Sequence, residues 1–282
     1  MIFSIAGINL EIVWDFPLEV LDRFKKFETR NAPDCSVIFK ECVSFDQEDV
    51  YEFELGEGIH FKERFQNGQF YRAFFYSNLN NPDVLLKRKG EKVWEVLYLP
   101  SYRGEMKRIE DLFSHIAFER IMIENQAIIL HASLIDVNGE GILFSGPSGI
   151  GKSTQADLWC QYEDAELING DKVIIRNVDG VWYGYGSPFA GSSNVFKNRR
   201  IPIRTIAFLN RAVDECSCHK LSASEAFKKF YSLVTINSWN TDYVQIVLKM
   251  SEQICNDISM CKLFTRKDQS SVNCFKKYLE EN

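Results

Sequence analysis

The run HASLIDVNGEGILFSGPSGIGKST, from His131 to Thr154, decides how the second half of this chain folds. Two apolar stretches, Ile128–Val137 and Glu140–Ser145, flank the dipeptide Asn138-Gly139. Asn-Gly between such stretches marks a β-hairpin, because a two-residue type I′ turn needs positive φ at both central positions. The turn also sets the register. Val137 faces Glu140, and counting back along both arms brings His131 opposite Gly146. Residues distant in sequence then stand one strand spacing apart, about 5 Å. The second arm is thus predicted to be antiparallel to its partner, unlike the parallel-sheet strand that feeds the phosphate loop in the common P-loop folds.

That arm runs into GPSGIGKST, which satisfies G-x-x-x-x-G-K-[ST] through Gly146, Gly151, Lys152 and Ser153. Gly146, Pro147, Ser148, Gly149, Ile150, Gly151, Lys152, Ser153 and Thr154 are the candidate nucleotide cradle. The glycines let backbone N–H groups face a β-phosphate, and Lys152 brings a point charge to the β/γ oxygens. Ser153 offers a hydroxyl to Mg2+. A helix over Ser153–Gln161 supplies further orphan N–H groups. The pattern specifies a nucleotide triphosphate and leaves the acceptor open.

Three other features are candidates for chemistry. Asp171 ends a short strand, Glu166–Ile168, at Asn169-Gly170-Asp171; it reads either as a base or Mg2+ ligand or as the last residue of a tight turn. His131 reads either as a hydrogen-bonded core histidine or, given its register, as a residue of the loop's site. The segment Asn194–Arg204 carries Lys197, Arg199, Arg200 and Arg204. It is a solvated loop or, through Arg199 and Arg200, a clamp on the γ-phosphate or an acidic substrate. Ser187–Ser193, small and flexible, is a substrate gate or an ordinary connection.

Composition narrows the classes. The net charge of −6 gives no field that attracts nucleic acid or anionic membrane, and no apolar run is long enough to span a bilayer. The start, MIFSIAGINLEIVWDF, lacks a basic leader region and reads as a strand. Abundant Phe points to sheet packing. The eight Cys show no repeating frame and fit a reduced, cytoplasmic chain. Cys216-Ser-Cys218-His219 has no second pair at finger spacing and reads as a loop or strand edge. Residues 1–104 are predicted β-rich, with a short helix in 19–27 and a turn-rich stretch from Asn78 to Pro82. One helix is expected from Met106 to Asn125. Hairpin strands are expected at Lys172–Arg176 and Val181–Gly184. A loop should follow to Pro202, then a strand, Thr205–Leu209. The remainder reads as helical apart from Lys262–Thr265, with a capping box at Ser222-x-x-Glu225 and a last helix at Asn273–Leu279.

The stretch Leu130–Trp159, followed by LINGDKVII at Leu167–Ile175, resembles the kinase domain of bacterial HPr kinase/phosphorylase. It is more similar still to the HPr-kinase-like proteins of peptide-modification gene clusters, within the phosphoenolpyruvate-carboxykinase-like P-loop superfamily. The resemblance covers about Ile128–Arg176 well, the rest of 105–282 weakly, and no catalytic motif in 1–104. It implies an α/β (α+β) fold: a mixed-sheet P-loop kinase domain at 105–282 after a β-rich domain at 1–104 that would present the acceptor. It implies an ATP- and Mg2+-dependent kinase acting on a serine-type hydroxyl of a peptide, protein or small molecule. His131, Lys152 and Asp171 match the family's active-site His, Lys and Asp. A homo-oligomer is also in keeping with the family, although no interface motif is legible. Two departures argue against a bifunctional enzyme with HPr as acceptor. The family's paired acids appear as Gly170-Asp171, and its downstream arginine- and glycine-rich signature is absent. Two other classes stay open: a nucleotide-binding regulatory or assembly protein, and another kind of P-loop NTPase. For the latter, Asn210-Arg-Ala-Val-Asp214 is one residue too long for a guanine-reading motif.

Overall fold

Alternating buried and partly exposed residues in Ile8–Val13 and Cys35–Glu41 give the period of two of strands with one face in a core. The computed structural model describes residues 1–46, 54–58, 61–66, 69–77, 81–236 and 240–282; of the turn expected at Asn78–Pro82, Asn78–Asn80 lie outside them. The chain divides into two units, Met1–Ile121 and Met122–Asn282.

In the first unit the described strands form one mixed sheet. They are β1 (Ile2–Ile5), β2 (Ile8–Val13), β3 (Glu28–Thr29), β4 (Cys35–Glu41), β5 (Glu54–Gly58), β6 (Phe61–Gln66), β7 (Gln69–Phe74), β8 (Val84–Arg88) and β9 (Val93–Tyr98). Their order is β3-β1-β2-β4-β9-β8-β7-β6-β5. The sequence places the boundary at 104/105, but the next helix belongs to this unit. Phe113 meets Phe3 and Phe24 with ring centroids 5.9 and 4.9 Å apart, and Ile109 and Leu112 are fully buried.

The single helix expected over Met106–Asn125 is two, Ile109–Ser114 and Phe118–Glu124, after a 3-10 turn at Arg103–Glu105. The break has a local cause. A continuing helix would use the Asp111 carbonyl for the His115 amide. Here that carbonyl accepts from Ser114 Oγ (2.7 Å) and the His115 ring, and the His115 amide turns to Leu112 O (3.0 Å).

The second unit is built on β10 (Ala127–Val137) and β11 (Glu140–Ser145), joined by Asn138 and Gly139 at φ 53° and 89°. Their register runs from Val137↔Glu140 to Ala132↔Ser145, as the turn predicts. The other strands are β12 (Glu166–Asn169), β13 (Lys172–Val178), β14 (Val181–Tyr185), β15 (Arg200–Arg211), β16 (Ser217–Lys220) and β17 (Ser259–Thr265). β11 lies antiparallel to β10 and parallel to β15. β15 also pairs with β14, β14 with β13 and β13 with β10, so these pairings close a circuit. The fold is a mixed α/β arrangement.

Helices cover both faces. Leu130, Ala132 and Leu134 enter a core with Phe230, Val247 and Ile254; Ile135, Ile142 and Phe144 enter another with Trp159 and Phe275. Alternation along β10 turns His131 away from the first core.

Two expectations are corrected. The loop thought to reach Pro202 ends sooner, because Arg200–Pro202 pair with Tyr183–Tyr185. Beyond Leu209, where helix is expected apart from Lys262–Thr265, lies β16, which takes the strand-edge reading of Cys218 and His219 beside β17. The capping box forms, with the Ser222 amide donating to Glu225 Oε2 (3.1 Å) and the Glu225 amide to Ser222 Oγ (3.4 Å). Among the described residues no helix is long and apolar enough to cross a membrane.

His115 yields a prediction for the first unit. It is buried, with Nε2 3.2 Å from Tyr76 Oη and 3.1 Å from Tyr102 Oη. Burial pushes its pKa down to about 4, against the raising effect of the Asp111 carbonyl and charge. The folded protein therefore binds fewer protons than the unfolded chain between pH 4 and 6.5. Stability from this group is complete above pH 6.5 and is lost as pH falls towards 4, by about 3 kcal/mol in all. Urea denaturation across this range should show the loss, and His115→Gln should flatten the profile.

Candidate functional site

The loop after β11 turns through three glycines with positive φ. Gly151, at 118°, is the N-cap of the helix Lys152–Tyr162 and accepts the first helical bond, from the Gln155 amide (2.9 Å). A β-carbon at Gly149 or Gly151 would meet nothing within 4 Å, so the cradle side is open space. This concavity, about 290 Å³, is lined by Ser148, Gly149, Gly151, Lys152, Ser153 and Thr154 from the loop and helix, and by His131, Gly170 and Asp171 from the sheet.

Asp171 reaches His131 because the end of β12 is clamped to β10. The Ala132 amide donates to Asp171 O (3.0 Å), and Ser133 Oγ to Gly170 O (3.2 Å). Asn169 Oδ1 accepts from the Asp171 amide (3.0 Å), closing an Asx turn. His131 faces Lys172 in the β10–β13 register, and Ser145 Oγ donates to its carbonyl (2.8 Å).

The side chains form a chain of polar contacts. His131 Nδ1 lies 3.0 Å from Asp171 Oδ1, and His131 Nε2 lies 2.8 Å from Lys152 Nζ. An imidazole with its proton on Nδ1 donates to the carboxylate and accepts from the ammonium, an assignment made from the network. Lys152 Nζ also donates to Gly146 O (3.0 Å) and Pro147 O (3.2 Å). Burial holds the Lys152 pKa below its ordinary value, and the Asp171 charge opposes that shift. The arrangement joins a buried cation, an imidazole and a carboxylate beside open backbone amides, as transfer of an anionic group requires.

The structure therefore brings His131, Lys152, Ser153, Thr154 and Asp171 to one concavity. It does not bring Arg199 and Arg200 there. Arg199 is ion-paired with Asp136 and Glu166, and Asp136 lies five residues along β10 from His131, about 16 Å away. The Arg200 guanidinium stacks over the Tyr183 ring at 4.6 Å. Lys197 and Arg204 pair with Glu166 (2.5 Å) and Glu140 (2.7 Å), so these two cations, like Arg199, are matched by nearby carboxylates.

Sequence reasoning missed what surrounds Gly170. A β-carbon there would coincide with the Ser193 hydroxyl and stand 2.5 Å from Ser193 Cβ. At Gly191, φ 55°, a β-carbon would stand 2.8 to 3.0 Å from the Asp171 side chain. The turn Gly191–Ser193 thus packs on the strand end. Asn169 holds the loop's near side, its Nδ2 donating to Ser187 O (3.0 Å) and Phe189 O (3.3 Å). In the sequence Gly170 reads as the replacement of an acid and Gly191 as part of a small, flexible loop; neither reading shows that the two segments meet.

Comparison with known proteins finds partial matches. The chain is 32% identical over 113 residues to the HPr kinase/phosphorylases of two Clostridium kluyveri strains, covering 40% of this chain and 33% of each relative. Over that stretch the chain is similar to HPr kinase/phosphorylase. The chain spans about a third of the length of the curated relatives it matches. Among solved structures, the Hpr(Ser) kinase/phosphatase of Coxiella burnetii aligns over 55% of this chain and 88% of its own, at 13% identity and a TM-score of 0.31. No family model matches.

The packing at Gly170 is testable. Its backbone is outside the left-handed region, so a side chain there costs only through overlap. Gly170→Ala should destabilise the protein by about 1–3 kcal/mol in chemical denaturation, and Ser193→Gly in the same chain should recover most of the loss.

Proposed function

We propose that this chain is an ATP- and Mg2+-dependent phosphotransferase that moves a γ-phosphoryl group to a serine-type hydroxyl of a peptide, protein or small molecule. What supports the reading is the contact chain Lys152–His131–Asp171 at the rim of a glycine cradle. The residues suit a polyphosphate: open space beside Gly149 and Gly151, a buried ammonium and the start of a helix. Ser153 and Asp171 are the oxygen donors that would hold Mg2+, whose charge would offset that of the phosphates. The chain works in the cytoplasm in this reading, and Met1–Ile121 recognises the acceptor.

Each residue has a task. Lys152 exchanges its bonds to Gly146 O and Pro147 O for phosphate oxygens and draws the β/γ charge into the cradle. Asp171 accepts the acceptor's proton. His131, donating to Asp171, orients that carboxylate and shares its charge. In-line transfer needs little more than such positioning and charge stabilisation.

A second reading, a nucleotide-binding regulatory protein with little catalysis, is favoured by one observation: the volume beside Gly170 is filled by Ser193, leaving Asp171 as the carboxylate at the rim. Tight ATP binding in calorimetry, with no transfer to a serine-peptide library and no turnover, would select it.

Lys152→Ala should abolish most phosphoryl transfer while changing the unfolding midpoint little; equal losses would indicate a misfolded loop. Asp171→Asn should lower the transfer rate by about 10²–10⁴-fold with nucleotide binding largely kept, and an undiminished rate would remove Asp171 from its role. In thermal-shift titrations ATP should raise Tm more than GTP; the reverse order would favour a guanine-nucleotide enzyme.

A further inference from the structure

The turn Gly191–Ser193 is seated on the residues that would receive an acceptor. Gly170 and Asp171 line the concavity, and this turn covers both: the Ser193 hydroxyl occupies the space beside Gly170, and Gly191 lies against the Asp171 carboxylate. The loop is pinned on either side of the turn. Asn169 Nδ2 binds Ser187 O and Phe189 O, and the Lys197 amide donates to Ile168 O (3.1 Å). Only the short span between Phe189 and Phe196, which bridges Asn169, is free of these ties. Ser193 Oγ donates to Ala190 O (2.7 Å) and accepts from the Val195 amide (3.3 Å), both bonds within the turn. A hydroxyl tethered this close to a reactive centre acts at a high effective concentration.

We infer that Ser193 is a phosphorylation site of this chain's own making: the Gly191–Ser193 turn presents its hydroxyl to a triphosphate in the cradle of the same molecule. The inference rests on the phosphotransferase reading above. Ser193 Oγ forms a bond to the γ-phosphorus. The bond from that phosphorus to the β,γ-bridging oxygen breaks, and its electron pair leaves with ADP. The hydroxyl proton passes to the Asp171 carboxylate and on to solvent. The acceptor class follows from the turn itself: a serine flanked by residues small enough to lie against Gly170 and Asp171.

The test uses the full chain with ATP and magnesium chloride, site mapping by mass spectrometry, and parallel calorimetry of ATP binding. Phosphate is expected on Ser193, at a rate per chain that does not change on dilution. It should be lost in Lys152→Ala and Ser193→Ala and kept in Ser193→Thr. If ATP is bound, hydrolysed or passed to an added serine peptide while Ser193 stays unmodified, the inference fails and the phosphotransferase reading stands. If ATP is neither bound nor consumed, both fail. A labelling rate that rises with protein concentration, or phosphate on Ser192 instead, overturns the same-chain geometry. The wild-type site map decides the matter even if Ser193→Ala does not fold.

Discussion

The turn at Asn138-Gly139 constrains everything at the cradle. Both residues sit at positive φ, the conformation that lets a two-residue loop follow the twist of its strands. The register it sets brings the start of β11's loop beside His131, and a slip of one residue would turn His131 into the opposite core. β10 then serves several partners in succession: β13 along its first half, and β11 and β12 along its second. The change from β13 to β12 happens where Asn169-Gly170-Asp171 crosses it, which is why Asp171 emerges next to His131. The closed circuit through β13, β14, β15 and β11 leaves this junction little freedom to shift.

Charge at the site is arranged around a buried cation. Lys152 is mostly removed from water, a placement that disfavours its charged form. Two backbone carbonyls, the His131 ring and the Asp171 charge offset that cost. These contacts are weaker partners for an ammonium than a polyphosphate, so Lys152 is poised to change partners rather than locked in a permanent ion pair. The imidazole stands between Lys152 and Asp171 and contacts both. The first unit handles charge differently. Arg72 is buried between Glu63 and Glu119 in ion pairs that suit a fixed structural role.

Local chemistry carried most of the legible information. The hairpin, its register, the loop, the helix after it and the Ser222 cap follow from residues close in sequence, and each has a short-range physical cause. The approach of His131 to the loop was legible too, because a tight turn converts sequence separation into distance by counting. What could not be read depends on contacts between distant segments. The break at His115 arises from competition for one carbonyl, which helical periodicity does not reveal. The sequence leaves Cys216–His219 as a loop or a strand edge, and pairing with β17 selects the strand. Arg199 reads as part of a solvated loop or as a clamp because Asp136 and Glu166, which neutralise it, are far away along the chain.

Gly170 and Gly191 show why composition at a site cannot be read one position at a time. Taken alone, Gly170 is a place where a side chain, and with it a second carboxylate, is missing. In the structure it is a place where none can stand, because the Ser193 turn fills the volume. Gly191 is the reciprocal case: its missing β-carbon lets the turn lie against Asp171 at a backbone conformation that side chains disfavour. The number of carboxylates at the rim and the path of the Ser187–Arg199 loop are therefore one property of this protein. A side chain added on either segment must be met by space given up on the other, so the chemistry available at Asp171 is set as much by that loop's packing as by the residues that touch the cradle.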